Sequence, residues 1–311
     1  MRIGVLESEG YSSKAIDVYS KFAKIDFFKN GNIIDFIADK DVLVVRLKYK
    51  LDSKVLFCAK NLKFICSPTT GLNHIDLDYT SANKIEVISL KNEIAFLNTI
   101  RATPEHSFGL LLSLLRNYKK AFLNTENTNW DRNLYIGTEL YAKKVAIVGL
   151  GRVGSLLANY CSAFGAKVKY FDIDAKKTSA VATRTPNLQQ LLHNAEIVFL
   201  TVSYSRNNHQ FFNAEMIDCL ENCYFINTAR AELLDEEYLL AKAKNNFFAG
   251  LAIDVIQDET NENNRLKDFL ELTKKNNIII TPHIAGATWE SMRRTEEFIA
   301  DKLNQRLRSC I

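Results

Sequence analysis

Short apolar runs alternate with amphipathic segments along the chain. Up to about Leu90 this alternation predicts a small βαβ domain with a parallel sheet. The predicted strands are 3–6, 25–28, 42–45, 64–66 and 87–90. A turn-rich stretch, SPTTGLNHID, follows the fourth strand, so it lies at the sheet edge where open α/β folds bind ligands.

A second series of elements follows. The segment 103–118, TPEHSFGLLLSLLRNY, predicts a helix with Thr103 as N-cap and Pro104 in its first turn. A polar arm, 124–137, comes next, and we expect it to run extended over a surface. Further strands are predicted at 145–148, 197–202, 224–227, 250–253 and 278–281, and helices at 235–244 and, long and amphipathic, at about 288–308. The last helix can cross back onto the first domain.

The stretch VAIVGLGRVGSLLANYCSAFGAKVKYFD has the order strand, glycine turn, helix, strand and acid. Gly149, Gly151 and Gly154 are spaced G-x-G-x-x-G, which allows a tight turn, close approach of a pyrophosphate and close helix packing. Asp172 is placed to accept hydrogen bonds from ribose hydroxyls and to repel a 2'-phosphate. An ordinary glycine turn is the alternative, but the complete unit favours NAD binding.

Composition narrows the class of protein. The 311 residues suffice for two domains, and the 47% hydrophobic and 24% charged content is ordinary for a globular chain. The net charge of +4, with cations and acids interspersed, suits a small anionic substrate and does not indicate nucleic acid. Without a secretory signal or an apolar run of membrane length, we expect a cytoplasmic protein without membrane contact. The six cysteines are expected to be reduced thiols, with no metal site.

Three polar residues each follow a predicted strand of the second domain. Arg230 closes FINTAR, Glu259 follows AIDVIQD, and His283 lies in IIITPHIAGAT. Strand ends of a parallel sheet converge, so these residues can share one crevice. Together they suit hydride transfer: the histidine exchanges a hydroxyl proton, the carboxylate orients it, and the arginine holds a substrate carboxylate. Considered alone, Arg230 is equally consistent with a partner in a surface ion pair. Glu259 considered alone is consistent with a solvated side chain.

Other polar residues are less informative. Asp254 ends a strand and is alternatively a helix or turn cap. His74 is expected to brace the TTGLNHID loop, and His106, near a helix start, is interpreted as structural. His193 and His209 receive no role.

These motifs together resemble the D-isomer-specific 2-hydroxyacid dehydrogenases, the family of D-3-phosphoglycerate, D-lactate, glyoxylate/hydroxypyruvate and formate dehydrogenases. VAIVGLGRVG with Asp172, FINTARAELLDEEYLL, AGLAIDV and TPHIAGAT match its signatures in order, and TTGLNHIDL and TPEHSFGLLLSLLRN resemble its substrate loop and interdomain helix. The resemblance implies two doubly wound parallel-sheet α/β domains, Rossmann-like and flavodoxin-like, with the active site in the cleft between them. Residues 1–97 with 286–311 would bind substrate, and residues 98–285 would bind NAD.

The resemblance also implies roles for residues. His283 would be the acid/base, Glu259 its carboxylate partner, and Arg230 the group that binds and polarises the 2-keto acid. Backbone N–H groups around Thr70 and Gly71 would hold the substrate carboxylate, and Asp254 would lie by the nicotinamide. The cofactor-binding residues would be Gly149, Gly151, Arg152, Val153, Gly154, Asp172, Thr228 and Asp254. Members are usually homodimers joined through the cofactor domain, which would cover Trp130 of the polar arm.

The chain departs from the family pattern at several positions. Ala231 stands where the family usually has Gly, Thr260 where Pro is common, and the loop NENN after it is long. TVSYS at 201–205 replaces a His and Pro segment, so cofactor contacts there would be rearranged. The end at Ile311 leads us to expect no regulatory C-terminal domain, and a formate dehydrogenase is disfavoured.

We therefore expect an NAD-dependent oxidoreductase that interconverts a small D-2-hydroxy acid and its 2-keto acid. Arg46 and Lys48, after a strand of the first domain, favour a phosphoglycerate-like substrate or are solvated cations. One alternative is a non-enzymatic NAD-sensing scaffold, similar to corepressors of this fold. Another is a dehydrogenase of the same fold acting on a different anion, such as phosphite.

Overall fold

The chain divides into two compact units. The computed structural model describes residues 1–128, 130–259, 261 and 264–309. The first unit comprises Met1–Ile100 and Ala287–Ile311, and the second comprises Arg101–Gly286. Each unit is built around its own parallel sheet.

The first unit has a five-stranded sheet in the order β2-β1-β3-β4-β5, and every neighbouring pair is parallel. Its strands are β1 Arg2–Val5, β2 Lys24–Phe27, β3 Val42–Val44, β4 Phe64–Ser67 and β5 Glu86–Ser89. Each agrees with its predicted range to within one residue at either end. The connecting helices are α1 Ser13–Ser20, α2 Ile33–Ile37, α3 Ser53–Leu56, α4 Leu77–Ala82 and α5 Ile94–Leu97.

Local sequence explains where these elements begin. Side chains of Ser12, Asn32, Asp52 and Asp76 accept a hydrogen bond from the first turn of α1 to α4, which satisfies N–H groups that lack helical partners. All three residues of β3 are buried, because both faces of a parallel sheet are covered.

The second unit has a seven-stranded parallel sheet in the order β12-β11-β10-β9-β6-β7-β8. Its strands are β6 Lys144–Val148, β7 Lys167–Phe171, β8 Thr183–Arg184, β9 Ile197–Leu200, β10 Tyr224–Asn227, β11 Gly250–Ile253 and β12 Ile278–Ile280. Its helices are α6 Ala102–Leu115, α7 Tyr118–Glu126, α8 Arg152–Ala163, α9 Leu188–Leu192, α10 Ala214–Asp218, α11 Glu236–Lys244 and α12 Leu266–Leu272. The two parallel sheets with their connecting helices confirm the predicted α/β fold class.

Two local predictions are wrong. Thr103 is not an N-cap, because α6 begins at Ala102 and the Thr103 carbonyl accepts the Ser107 hydroxyl inside the helix. Pro104 does lie in the first turn, where its missing N–H has no helical partner. The arm 124–137 does not run extended throughout, because it begins in α7 and continues into a 3-10 turn, Arg132–Tyr135.

The C-terminal helix α13, Trp289–Arg308, belongs to the first unit and begins after Thr288, whose hydroxyl accepts the Ser291 N–H. Its apolar face packs into the core that contains Tyr19 of α1, and the fully buried residues on that face are Ile299, Ala300 and Leu303. The helix therefore completes the layer that covers one face of the first sheet.

A buried ion pair links α13 to the end of β3. Glu296 is 1% exposed, and its Oε1 accepts hydrogen bonds from Arg46 Nη2 at 2.5 Å and Nε at 2.9 Å. Its other oxygen accepts the Ser12 N–H at 2.7 Å. Burial raises the pKa of Glu296, while Ser12 and Arg46 act in the opposite direction. The carboxylate thus joins three parts of the first unit.

Arg46→Met is expected to lower the free energy of unfolding by about 3–5 kcal/mol, because it leaves the buried Glu296 carboxylate without its cation. Chemical denaturation at neutral pH measures this loss. The matched control is Arg306→Met. Arg306 of α13 forms an exposed ion pair with Glu86 of β5, so the loss in this variant is expected to stay below about 1 kcal/mol. Equal losses of unfolding free energy in the two variants would contradict the conclusion that the buried Arg46–Glu296 pair stabilises the first unit.

Candidate active site

The glycine turn after β6 is tightly packed at Gly149 and Gly154 but has open space at Gly151. Gly149 has φ +95°, a conformation that L side chains rarely adopt. A Cβ atom at Gly154 would lie well inside 3.0 Å of the Gly149 carbonyl oxygen, which also accepts the Thr201 hydroxyl at 2.7 Å. A Cβ atom at Gly151 would meet nothing within 4 Å. The turn therefore packs tightly against α8 but leaves space at Gly151.

Asp172, directly after β7, is hydrogen-bonded to this turn. Its Oδ2 accepts the Leu150 N–H at 2.7 Å, and its Oδ1 accepts the Asp174 N–H at 2.9 Å. Arg184 of β8 donates to the backbone carbonyls of Asp172 at 2.5 Å, Asp174 at 3.1 Å and Lys177 at 3.4 Å. The acid and the loop after it are thus held against the glycine turn.

Arg152 and Val153 are the first two residues of α8, directly after Gly151. Burial lowers the pKa of the Arg152 guanidinium, and the neighbouring charge of Arg101 adds to the effect. The N–H groups at this end of α8 lack helical partners and suit an anion.

His283 and Glu259 form a pair in the second unit. His283 Nδ1 lies 2.7 Å from Glu259 Oε2, and the two side chains are 21% and 35% exposed. Within the described part of the chain, Nε2 of His283 makes no hydrogen bond. The structure therefore brings together two residues that are 24 positions apart and leaves one ring nitrogen for other contacts.

The backbone at His283 is in the left-handed region, with φ +53°. Such a conformation in a non-glycine residue costs on the order of 1–3 kcal/mol and persists only when the surroundings impose it. Here the His283 N–H donates to the carbonyls of Asp254 at 2.9 Å and Thr281 at 3.0 Å. Backbone contacts thus fix the direction of the imidazole.

Asp254, at the end of β11, organises the same turn. Its carboxylate accepts the Thr281 hydroxyl at 2.6 Å and the N–H groups of Ile284 and Ala285 at 2.9 Å, and His106 Nε2 lies 3.4 Å away. Burial alone would raise the pKa of Asp254, but the hydrogen bonds from His106, Thr281 and the two backbone groups together lower it. Asp254 is therefore an ionised carboxylate that caps this turn. This is the turn-cap role that the sequence left open as an alternative for Asp254.

Arg230 follows β10 and is half-buried. Its guanidinium donates to the Ala229 carbonyl at 2.8 Å, the one hydrogen bond that it makes within the described residues. Burial lowers the pKa of Arg230, while the carboxylates of Glu232, Glu259 and Asp254 lie near enough to raise it. Arg230 thus lies close to the carboxylate partner of His283 and keeps N–H groups for an anion.

Two adjacent residues of α6, His106 and Ser107, lie in this region. The sequence indicated only a structural role for His106 and no role for Ser107. His106 contacts Thr281 at 3.2 Å as well as Asp254, and the Ser107 hydroxyl lies 2.6 Å from that of the buried Thr228. Polar neighbours in an otherwise apolar helix are the signal that would have identified them.

Thr70 and Gly71 lie in the first unit, in the loop after β4. The Thr69 hydroxyl donates to the Gly71 carbonyl at 2.9 Å and lies 2.8 Å from the Ser67 hydroxyl. His74 Nε2 lies 3.3 Å from that same Ser67 oxygen, so His74 braces the loop as expected. Thr70 itself is exposed.

Other predicted features can be placed more briefly. Among the described residues, no group of three or more His, Cys, Asp or Glu is arranged to hold a metal ion, and the five described cysteines are free thiols. No helix in this part of the chain is long and apolar enough to cross a membrane. Thr260, Cys310 and two residues of the NENN loop lie outside the described residues.

Comparison with known proteins identifies close relatives of this architecture. Residues 108–285 match the model of the D-isomer specific 2-hydroxyacid dehydrogenase, NAD binding domain. A glyoxylate reductase from Thermofilum pendens is 33% identical over 86% of this chain and 78% of its own length. A D-3-phosphoglycerate dehydrogenase from Bacillus subtilis is 30% identical over 97% of this chain, which spans 56% of that relative's length.

A solved structure also matches. D-lactate dehydrogenase from Aquifex aeolicus, complexed with NAD and lactic acid, superimposes with a TM-score of 0.84 at 25% identity, covering 99% of this chain and 96% of that one. The similarity thus extends over both units of the chain.

Gly154→Ala is expected to lower the free energy of unfolding by about 2–3 kcal/mol, because the added methyl group would overlap the Gly149 carbonyl oxygen. Gly151→Ala, three residues away in the same motif, is expected to change it by less than about 1 kcal/mol, since its Cβ meets open space. Denaturant titration of both variants measures the difference, and similar losses would refute this description of the turn.

Proposed function

We propose that this chain, which belongs to the D-isomer-specific 2-hydroxyacid dehydrogenase family, interconverts a small D-2-hydroxy acid and its 2-keto acid with NAD. The match to the family's NAD-binding domain confirms the predicted family and cofactor. The observation that carries the proposed reaction is the 2.7 Å pair of His283 and Glu259 in the neighbourhood of the half-buried Arg230.

The described residues fit NAD. The space at Gly151, the start of α8 and the carboxylate of Asp172 suit a pyrophosphate and a ribose. When bound, NAD supplies or accepts a hydride at its nicotinamide ring. The residues proposed to hold it are Gly149, Gly151, Arg152, Val153, Gly154, Asp172, Thr228 and Asp254.

His283 is the proposed acid/base. Its Nδ1–H donates to Glu259, which leaves Nε2 to take the hydroxyl proton during oxidation and to return it during reduction. The negative charge of Glu259 stabilises the imidazolium form. The constrained backbone at His283 limits the directions in which the ring can point.

Arg230 is the proposed anion-binding group. A guanidinium has five N–H donors, and only one hydrogen bond of Arg230 is made within the described residues, to Ala229. The other donors can bind a carboxylate and stabilise negative charge that develops on the substrate carbonyl oxygen. Backbone N–H groups around Thr70 and Gly71 are proposed as a second contact for the carboxylate.

His283→Ala is expected to lower kcat by roughly 10²- to 10⁴-fold, because general acid/base catalysis at Nε2 is lost. NADH oxidation with an active 2-keto acid measures the rate, and NADH fluorescence titration shows that cofactor binding is retained. The matched control is His193→Ala, which removes an exposed histidine of the same unit. Near wild-type turnover in His283→Ala would refute the assignment.

Two alternatives from the sequence share this fold. A non-enzymatic NAD-sensing scaffold would bind NADH without turnover, and a phosphite dehydrogenase would fail on every 2-keto acid. Assays with a panel of 2-keto acids, with phosphite and with 3-phosphoglycerate separate the three possibilities. The His283–Glu259 pair supports an enzyme over a scaffold.

We also propose a homodimer formed through the second unit. Several large apolar residues of this unit are exposed, among them Trp130 at 91%, Phe122, Leu134, Ile136 and Tyr141. Exposed apolar groups of this size favour burial against a partner, and a second copy of the chain is the proposed occupant. A cytoplasmic location stays a prediction.

Trp130→Asp is expected to raise the dimer dissociation constant by at least about 30-fold, because a charge replaces a large apolar contact. Light scattering over a dilution series measures the oligomeric state. Trp289→Asp is the control, since the only other tryptophan is 66% exposed and lies in the first unit. A wild-type protein that is monomeric at all concentrations would contradict the proposal.

A further inference from the structure

The order of strands in the first unit marks one position as the natural ligand crevice. In the order β2-β1-β3-β4-β5, the chain reverses direction of winding between β1 and β3. Ligands of such sheets bind beyond the carboxyl ends of the strands at this switch point. Glu7 lies two residues beyond β1, and Arg46 to Lys48 lie just beyond β3. The loop of Thr70 and Gly71 follows β4, the next strand in the sheet.

The backbone at this position forms an anion-binding site that the chain itself fills. The N–H groups of Arg46, Leu47 and Lys48 donate to the carboxylate of Glu7 at 2.5, 3.2 and 3.0 Å. Successive N–H groups that converge in this way form a concave site of the kind that holds phosphate groups. In this chain, Glu7 occupies it.

The cation at the same position is also engaged. Arg46 donates Nε and Nη2 to Glu296 and Nη1 to the Glu9 carbonyl at 3.1 Å. Its guanidinium lies over the Tyr11 ring, 5.2 Å from the centroid. Because Glu296 is buried and holds this guanidinium, releasing Arg46 to an incoming phosphate would leave a buried carboxylate uncompensated.

The charges at the switch point do not favour a dianion. The carboxylates of Glu7 and Glu296 balance the cations Arg46 and Lys48, so these four groups leave no net positive charge for a dianion. Lys48 is exposed and lies over its neighbour Tyr49. A phosphate would have to displace Glu7 from these N–H groups and would find no net positive charge in its place.

We infer that the enzyme selects 2-hydroxy and 2-keto acids without a phosphate group, and that Glu7 is a specificity-determining residue. This inference rests on the proposed reaction and adds the substrate class. A substrate whose 2-keto acid carries a small uncharged substituent can bind without hydrogen bonds from the N–H groups that Glu7 occupies. A phosphate in the same position competes with Glu7 for them.

The test compares two substrates that differ only by the phosphate, hydroxypyruvate and 3-phosphohydroxypyruvate, with NADH and the full chain. We expect kcat/KM to favour hydroxypyruvate by at least about 100-fold. An equal or higher value for the phosphorylated acid would overturn the inference while supporting the proposed reaction. No turnover with these acids, glyoxylate or pyruvate, despite NADH binding, would overturn the proposed reaction and with it the inference.

Variants of Glu7 test the cause. In Glu7→Ala the preference for hydroxypyruvate is expected to fall by at least about tenfold, because the three N–H groups become available and a negative charge is removed. Glu9→Ala removes a neighbouring charge without freeing these groups, and its preference is expected to stay within about twofold of wild type. An unchanged preference in folded Glu7→Ala would overturn the role of Glu7.

A second variant guards against loss of folding. Glu7→Gln keeps an oxygen that can accept from the three N–H groups but removes the charge, so we expect the preference to fall by only about threefold. Circular dichroism and thermal unfolding establish that each variant is folded. A preference in folded Glu7→Gln that equals or exceeds that of wild type would contradict a role for the charge.

Discussion

The need to satisfy one buried charge shapes the region around His283. The carboxylate of Asp254 has almost no contact with solvent and remains ionised, which requires donors on every side. Those donors come from Thr281, from the backbone just beyond His283 and from a histidine of α6. These contacts hold the turn in which His283 has φ +53°, and in this turn the His283 ring lies 2.7 Å from Glu259.

The first unit depends on a similar constraint. Glu296 is a carboxylate in a core helix, and it is tolerable there because Arg46 and the Ser12 N–H meet it. The same contacts set where α13 lies along the sheet and keep the guanidinium of Arg46 from turning outward. For the substrate class that we infer, stability and substrate choice are coupled at this point, because a cation that neutralises a buried acid is not available to a ligand.

The strands of both sheets could be predicted from the sequence because both faces of each sheet are buried. Strands covered on both sides appear as apolar runs bounded by turns, and all eleven predicted strands correspond to strands of the structure. Strand β8 escaped prediction because it is two residues long and polar. Helix α7 was taken for part of a polar arm, although Tyr118 and Phe122, four residues apart and stacked at 5.3 Å, show the helical spacing.

The candidate site residues could be predicted in part because they follow these recognisable strands. Arg230, Glu259 and His283 were predicted to lie together because each follows a strand, and strand ends of a parallel sheet meet at one edge. In the structure His283 and Glu259 are 2.7 Å apart. Ion pairs between distant parts of the chain could not be predicted in this way. The pair of Arg46 with Glu296, 250 positions later, is an example. A sequence shows how many cations follow a strand but not which are already neutralised. For the substrate class that we infer, what matters is whether Arg46 is already neutralised. The sequence alone associated Arg46 with a phosphate, whereas its pair with Glu296 argues against one.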